Sequence, residues 1–525
     1  MGVEPGSGIR EGLSSVTRGT LFLLVSTLCL VGLTFVSRVI VVRSLSTSDF
    51  DGYSFDLTLA GLLSAFGTLG LPSAIARSIP YAASDNERRT IVRGTLLIGS
   101  GAALGTSLLL FAFSSTIGSA LGSNAVTVGL RFFPVAVATS IVTSLVVSIF
   151  QGYEDVTPNA VFVQIVNPAL FVAFLGVALV VPPFGIDFTQ ALLAYVLASV
   201  VTLVVVLAYM RRRLPRHLSR GPQAPEALGR LLRFAAPLFV VGIMGSVSGS
   251  GDTLLLGIYH EGFVGSYSAS LTLSRLLQIG ISAAAFIFLP VASKFLRQDD
   301  SRSIRVTYAT VTKWMILVSL PLFLLFFFLP SSSLAFVYGT KYTLAQSVVP
   351  LQITVVGAFV TTLLGPATTT QVVYGQTRLL AYNAITAGVV DLGLSLALIP
   401  SYGYVGAATA WASAAVTYSG LSLAELVLLS DVHPFRRHFV IPLLATAVPV
   451  GVVLGVLRLN LPYLELIALG LAVAVLFIIL VLATRSIDDG DRLLLEAIER
   501  LVGRPLPLLR RLGRLALRSR GEGGA

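Results

Sequence analysis

From Leu466 to Leu482 no side chain carries a polar atom, and runs of this kind recur along the whole chain. A water-soluble fold has no place for so many of them, because each would need a core of its own. Composition agrees: of 525 residues, 55% are hydrophobic and 12% charged, where soluble domains carry roughly 25% charged residues. Soluble enzymes, coiled coils and disordered tails are excluded on that ground, and the expected solvent is a lipid bilayer.

A hydrocarbon core of about 30 Å takes about 20 helical residues. That ruler divides the sequence into fourteen expected transmembrane helices, at 19–43, 54–80, 91–116, 127–150, 158–181, 188–210, 233–258, 265–291, 306–331, 347–371, 378–399, 405–429, 439–457 and 461–484. The runs are continuous, without the alternation of a membrane β-barrel strand, so the expected fold class is an all-α polytopic membrane protein. The first run is long enough to span and has no small-residue cleavage site after it, so it is expected to be retained.

Lys and Arg collect in cytoplasmic loops, and their positions test the threading. Twenty-eight of the 36 basic residues fall on the side of the N-terminus, including Arg88, Arg89, Arg93, Arg211, Arg212, Arg213 and every basic residue from Arg485 onward. Three fall opposite (Arg43, Lys341, Arg458), and five lie within or at the ends of spans (Arg38, Arg77, Arg131, Arg275, Lys313). A multi-pass plasma-membrane protein with both termini cytoplasmic is expected. The net charge of +11 expresses the same bias, and no nucleic-acid partner is inferred from it.

The expected organisation is a cytoplasmic N-terminus at 1–18, an N-lobe of six spans at 19–210, a cytoplasmic linker at 211–232, a C-lobe of six spans at 233–430, two further spans within 431–484, and a basic tail at 485–525. The linker is rich in Arg and Pro. Phe50-Asp51-Gly52-Tyr53-Ser54 returns about 214 residues later as Phe263-Val264-Gly265-Ser266-Tyr267, and Val181-Pro182-Pro183-Phe184-Gly185 is echoed by Ile399-Pro400-Ser401-Tyr402-Gly403. An even number of spans separates the equivalents, so the repeat is parallel, about an axis along the membrane normal, and two such lobes leave a central cavity for alternating access. In the tail, Leu493 to Leu495, Ile498 and Leu501 alternate with Arg492, Arg500 and Arg504, as in a helix lying on an anionic leaflet. A solvated tail with ordinary positive-inside bias accounts for the same residues.

Cys29 has no partner for a disulfide, and His217, His260, His433 and His438 lack metal-ligand spacing, so neither metal nor cofactor is expected. Lys294, Lys313 and Lys341 are the only lysines and none sits in a Gly-rich phosphate loop, which argues against ATP hydrolysis. Short, sparsely charged outer loops argue against a membrane glycosyltransferase.

Ionisable residues at membrane depth are costly and are therefore the functional candidates. Arg38 in the first span and Arg275 in the eighth would face the cavity from equivalent positions, where a guanidinium suits phosphate or pyrophosphate. The alternative is that Arg38 snorkels outward and Arg275 pairs with a buried acid. Arg77 and Arg131 are further cavity candidates; like Lys313 they stand near span ends, where snorkelling is the favoured reading. Asp391, Asp252 and Asp56 are the coupling candidates, with Glu425 and Glu465 also in or near spans. Asp391, flanked by Val389, Val390, Leu392 and Leu394, needs a proton, a cation or an arginine beside it, and an ion-pair role stays open.

Four stretches resemble the polysaccharide and oligosaccharide (Wzx-type) flippases of the multidrug/oligosaccharidyl-lipid/polysaccharide exporter superfamily, with their lipid II flippase relatives. They are Ser48-Asp49-Phe50-Asp51-Gly52-Tyr53 ahead of Gly67-Thr68-Leu69-Gly70-Leu71-Pro72 and Arg77; Gly265-Ser266-Tyr267-Ser268-Ala269 with Leu289-Pro290; Tyr338-Gly339 with Tyr342; and Gly375-Gln376-Thr377 continuing to Leu398-Ile399-Pro400-Ser401-Tyr402-Gly403 and Gly406-Ala407-Ala408. The resemblance covers roughly residues 14 to 484. It implies translocation of a polyprenyl-linked oligosaccharide from the cytoplasmic to the outer leaflet, through a polar cavity in which Arg38 resembles the first-span arginine of lipid II flippases. Arg275 lies about one turn from their eighth-span arginine, and Asp391 stands where polysaccharide flippases usually carry Asn. The implied partners are the lipid-linked oligosaccharide, membrane lipids, and a glycan polymerase or glycosyltransferases, with the chain a monomer. An ion-coupled multidrug exporter and a non-transporting scaffold for glycan assembly are the competing functions.

Overall fold

The computed structural model describes residues 7–180, 186–214, 225–260, 262–343, 345–430, 432, 437–457, 463–483 and 491. The centre of the expected linker, the Val181 to Gly185 motif and, apart from Asp491, the amphipathic tail lie outside them. The described elements are all helical. In chain order they are α1 (Ser7–Ser44), α2 (Thr47–Gly67), α3 (Leu71–Ser78), α4 (Asp85–Ala120), α5 (Asn124–Gly152), a π-helical stretch (Pro158–Val166) running into α6 (Asn167–Val180), and α7 (Phe188–Arg213). There follow α8 (Pro225–Tyr259), α9 (Val264–Arg275), α10 (Ile279–Arg297), α11 (Ser301–Phe328), α12 (Pro330–Tyr338), α13 (Ala345–Leu363), α14 (Ala367–Val373), α15 (Thr377–Tyr402), α16 (Tyr404–Ser430), α17 (Arg437–Leu457) and α18 (Tyr463–Ala483).

Among the described residues, eleven helices are long and apolar enough to cross a membrane, and twelve if the bent pair α2–α3 forms one span. The expected fourteen is not reached for two local reasons. The 265–291 run is cut by a 3₁₀ turn at Leu276–Gln278 between α9 and α10, and the apolar part of α17 is only Leu443–Val456. Several helix starts carry the side chains that orphaned N–H groups require: Ser46, Ser84 and Ser123 accept from the backbone three residues on, and Asp187 forms a reciprocal capping box with Gln190.

Two compact units divide the chain. The first comprises Val25–Ser268 and Asp391–Ala407. Its centre is α5, packed on by α2, α3, α4 and α7 and burying Phe133, Ile141, Leu145 and Phe150. Both α7 and α8, which flank the expected linker, belong to this unit. At the end of α2 the chain bends by 43° into α3, with Leu69 at φ 53° and Gly70 at φ 69°, and Pro72 opens the new helix. Gly70 also backs onto α8: a Cβ there would lie 2.6 Å from the Ala235 carbonyl oxygen and 2.6 Å from the Phe239 nitrogen. Left-handed backbone and close approach together demand glycine.

The second unit comprises Met1–Leu24, Ala269–Val390 and Ala408–Ala525, and α11 is its central helix, packed against α10, α13, α17 and α18. Lys313 corrects the snorkelling expectation. It is buried on α11, with its Nζ 2.6 Å from Asp491 Oδ2, while Trp314 Nε1 donates to Asp491 Oδ1 at 2.8 Å. A half-buried carboxylate of α16, Glu425, likewise accepts from Gln371 and, at 2.8 Å, from Asn383.

Two stability predictions follow from these contacts. Gly70→Ala should lower unfolding stability by about 2 kcal/mol, whereas Gly61→Ala, with nothing within 4 Å of the added carbon, should not. Lys313→Met, which strands the Asp491 charge, should cost about 3 kcal/mol, and Lys313→Met with Asp491→Leu should recover most of it. Thermal unfolding of the detergent-solubilised protein measures all four variants.

Candidate functional site

In the first unit, half-buried Arg38 of α1 donates to Ser54 Oγ on α2 at 3.4 Å and to Ser268 Oγ on α9. Its guanidinium carbon lies 5.0 Å from the centre of the Phe50 ring, and Phe50 stacks on Tyr53 at 6.4 Å. The cation is thus held within the protein by hydroxyls and a π-face. The first turn of α9 is fixed against α2 because the Gly265 N–H donates to Asp51 Oδ1, which answers one of the N–H groups a helix start leaves open.

One residue before Ser268, Tyr267 donates its hydroxyl to Asp252 Oδ2 on α8. The Asp252 Oδ1 atom accepts from the Thr253 N–H at 2.6 Å and from the Thr253 hydroxyl at 3.2 Å. Asp391 of α15 lies within electrostatic reach of Asp252. It is 1% exposed, and its Oδ1 has no hydrogen-bond partner among the described residues. Adjacent residues of α9 therefore touch Arg38 on one side and Asp252 on the other, with Asp391 within electrostatic reach of Asp252. Three candidates chosen from the sequence on separate helices are gathered around a single helical turn.

Asp56 is placed apart from this seam. It is fully buried on α2, and neither carboxylate oxygen has a hydrogen-bond partner among the described residues. Gly129 of α5 makes the space: a Cβ there would fall 1.7 Å from Asp56 Oδ2. Arg77 closes the last turn of α3 with its guanidinium 4.5 Å over the Phe234 ring. Arg131 is exposed on α5, and Arg275 is exposed at the end of α9 in the second unit. Neither makes an ion pair among the described residues, so the buried-acid partner considered for Arg275 is not seen there.

Sequence reasoning missed the side chains that connect the charges. Ser54, Tyr267 and Ser268 carry ordinary hydroxyls, and the available signal was their place in the repeated Phe50 to Ser54 and Gly265 to Ala269 motifs. It also missed a polar contact on α1, where Ser26 and Thr27 donate to Gln164 Oε1 at 2.7 and 3.1 Å. Gln164 lies in the π-helical stretch, a distortion often found at functional positions.

A family model described as polysaccharide biosynthesis protein matches residues 16–296, more than half of the chain. No curated protein matches it. Among solved structures, the lipid II flippase MurJ in an inward closed conformation is 14% identical with TM-score 0.68, over 87% of this chain and 98% of that one. An inward-facing multidrug resistance MATE family transporter is 14% identical with TM-score 0.59, over 76% of this chain and 93% of that one. A transporter of the same superfamily from Pyrococcus furiosus, described as having a binding pocket of reverse polarity, gives TM-score 0.52 at 14% identity, over 78% and 94%. At such identities the likeness establishes a shared fold.

The Asp56 contact gives a prediction in double-mutant form. Gly129→Ala should lower the thermal midpoint, because it drives a carbon into the buried carboxylate, and Asp56→Ala introduced beside it should restore most of the loss. Equal effects of Gly129→Ala in both backgrounds would show that the two residues do not meet.

Proposed function

We propose, from the premise that this chain belongs to the polysaccharide biosynthesis protein family, that it is a flippase for a polyprenyl-linked oligosaccharide. It moves the glycan from the cytoplasmic to the outer leaflet of the plasma membrane by alternating access, as a transporter and not an enzyme. The N-lobe, C-lobe and cytoplasmic termini expected from the sequence belong to this reading, as does action as a monomer alongside a glycan polymerase or glycosyltransferases.

The observation that carries the proposal is the α9 turn, where Ser268 meets Arg38 and Tyr267 meets Asp252. A sugar phosphate cannot cross hydrocarbon unaided, since its charges and hydroxyls lose water without replacement. A guanidinium oriented by two hydroxyls offers planar donors to phosphate oxygens. Two buried carboxylates repel in apolar surroundings, so a proton or small cation must accompany Asp252 and Asp391. Because Tyr267 and Ser268 are neighbours on α9, occupancy of the carboxylate pair acts through Asp252 on the position of Ser268 and with it on the geometry of Arg38. Membrane potential supplies about 2.3 kcal/mol per elementary charge per 100 mV, enough to bias the return of the empty carrier. Asp56 is a second protonation position in the same unit, and Arg131 and Arg275 are outlying cations available to the glycan phosphate as the cavity opens.

The test is a gene deletion followed by mass spectrometry of lipid extracts with leaflet-selective labelling. The expected result is a lipid-linked oligosaccharide accumulating toward the cytoplasm, cleared by the wild-type gene and not by Arg38→Ala at equal expression. Asp391→Asn should still bind the lipid and should lose the dependence of transport on the ion gradient or potential. A lipid pool that stays normal, with drug exclusion lost instead, would replace the proposal by multidrug export. Full function of Arg38→Ala would favour the scaffold.

A further inference from the structure

At the end of the first unit that faces the linker, the last turn of α3, the start of α4 and the start of α8 enclose a cavity of about 350 Å³. Its polar lining is Arg77, Ser78, Tyr81, Glu87 and Arg230, and Phe234 forms one wall. Charge bias in the sequence assigns this end of the helices to the cytoplasm.

The carboxylate in the cavity is already engaged. Glu87 Oε2 accepts from the Ala83 N–H at 2.8 Å, and Oε1 pairs with Arg230. These contacts hold the Glu87 carboxyl below its ordinary range, with the Ala83 N–H the first cause. Glu226 reaches Arg230 from outside the cavity at 4.0 Å and is 91% exposed. Arg77 differs: it has no carboxylate partner among the described residues, and its guanidinium carbon lies 4.5 Å from the centre of the Phe234 ring. Ring support places the cation without using its N–H donors. Arg77 is therefore positioned and uncompensated, with the Ser78 and Tyr81 hydroxyls beside it. Beyond the cavity the helices turn apolar outward: α4 exposes Leu97, Leu104 and Leu108, and α8 exposes Leu232 and Val240.

We propose that this cavity binds the phosphate-bearing headgroup of a membrane lipid, with Arg77 as the principal ligand, Arg230 as the second cation and the outer faces of α4 and α8 supporting the hydrocarbon chain. Planar guanidinium donors match phosphate oxygens in pairs. The adjoining apolar surface is what separates a lipid phosphate from a soluble one. The site is distinct from the Arg38 seam. Its link to transport rests on the flippase reading, under which it is a cytoplasmic waiting position for the carrier's diphosphate; an anionic phospholipid presents the same chemistry.

Full-length protein in detergent tests this, with unfolding followed as farnesyl diphosphate, dioctanoyl phosphatidylglycerol or inorganic pyrophosphate is added. Wild type should be stabilised at lower concentrations of the two lipids than of pyrophosphate. The half-saturating lipid concentration should rise about tenfold in Arg77→Gln, as expected for loss of a charged hydrogen-bond pair. It should rise less in Arg77→Lys, which keeps the charge and also serves if Arg77→Gln fails to fold, and stay unchanged in Gly61→Ala, where an added carbon meets nothing within 4 Å. Tighter farnesyl diphosphate identifies the transport carrier as the occupant, and tighter phosphatidylglycerol a bulk phospholipid; either supports the site. Wild-type binding by the Arg77 variants, or equal binding of pyrophosphate and lipids, overturns it. Loss of binding in Arg38→Ala alone would assign the phosphate to the seam and leave the flippase reading intact. Arg77-dependent binding in a protein that moves no lipid would do the reverse.

Discussion

A charge inside a bilayer survives only where the protein replaces the water it has lost, and much of this chain's architecture around its ionisable residues answers that demand. Arg38 is held by two serines and a phenylalanine ring from neighbouring helices. Asp252 is held by a tyrosine and a threonine, and Lys313 by Asp491. Each arrangement fixes a helix as well as a charge: the first turn of α9 sits where Ser268, Tyr267 and Gly265 can meet partners on α1, α8 and α2. Remove the polar contacts and those helices have only nonspecific apolar faces to register them.

The acids divide accordingly. Glu425 accepts from two amide side chains, and Asp491 accepts from Lys313 and the Trp314 indole; both are held by side-chain donors. Asp56, with neither oxygen satisfied among the described residues, and Asp391, with Oδ1 unsatisfied, are not. A buried polar atom without a partner is expensive, and in a transporter that expense is repaid if a proton or cation arrives and leaves during the cycle. Under the proposed function, the polar network around Asp252 and Arg38 links such an event to the guanidinium.

The helical fold was legible in the sequence because long apolar runs admit few other solutions in a membrane. What escaped was set by local backbone and by distance along the chain. The break at Leu69 and Gly70 lies inside what reads as one span, and the left-handed backbone together with the approach of α8 explains why glycine stands there. The 3₁₀ turn after Arg275 interrupts an equally continuous run. Arg38, Asp252 and Asp391 stood out as charges in apolar surroundings, but the hydroxyls that join them are too common in membrane helices to be singled out. Lys313 was misread because its partner lies 178 residues away, in a segment whose arginines dominate any reading of its charge.

The central claim is that Arg38 and the Asp252–Asp391 carboxylates act together through α9 to move a lipid-linked glycan. Reconstitution into proteoliposomes with a fluorescent polyprenyl-diphosphate oligosaccharide, followed by quenching of the outer leaflet, tests it most directly. The account predicts translocation that responds to an imposed potential or ion gradient in the wild type, that is abolished in Arg38→Ala, and that becomes gradient-insensitive in Tyr267→Phe and Asp391→Asn. Wild-type rates and gradient response in all three variants would contradict it.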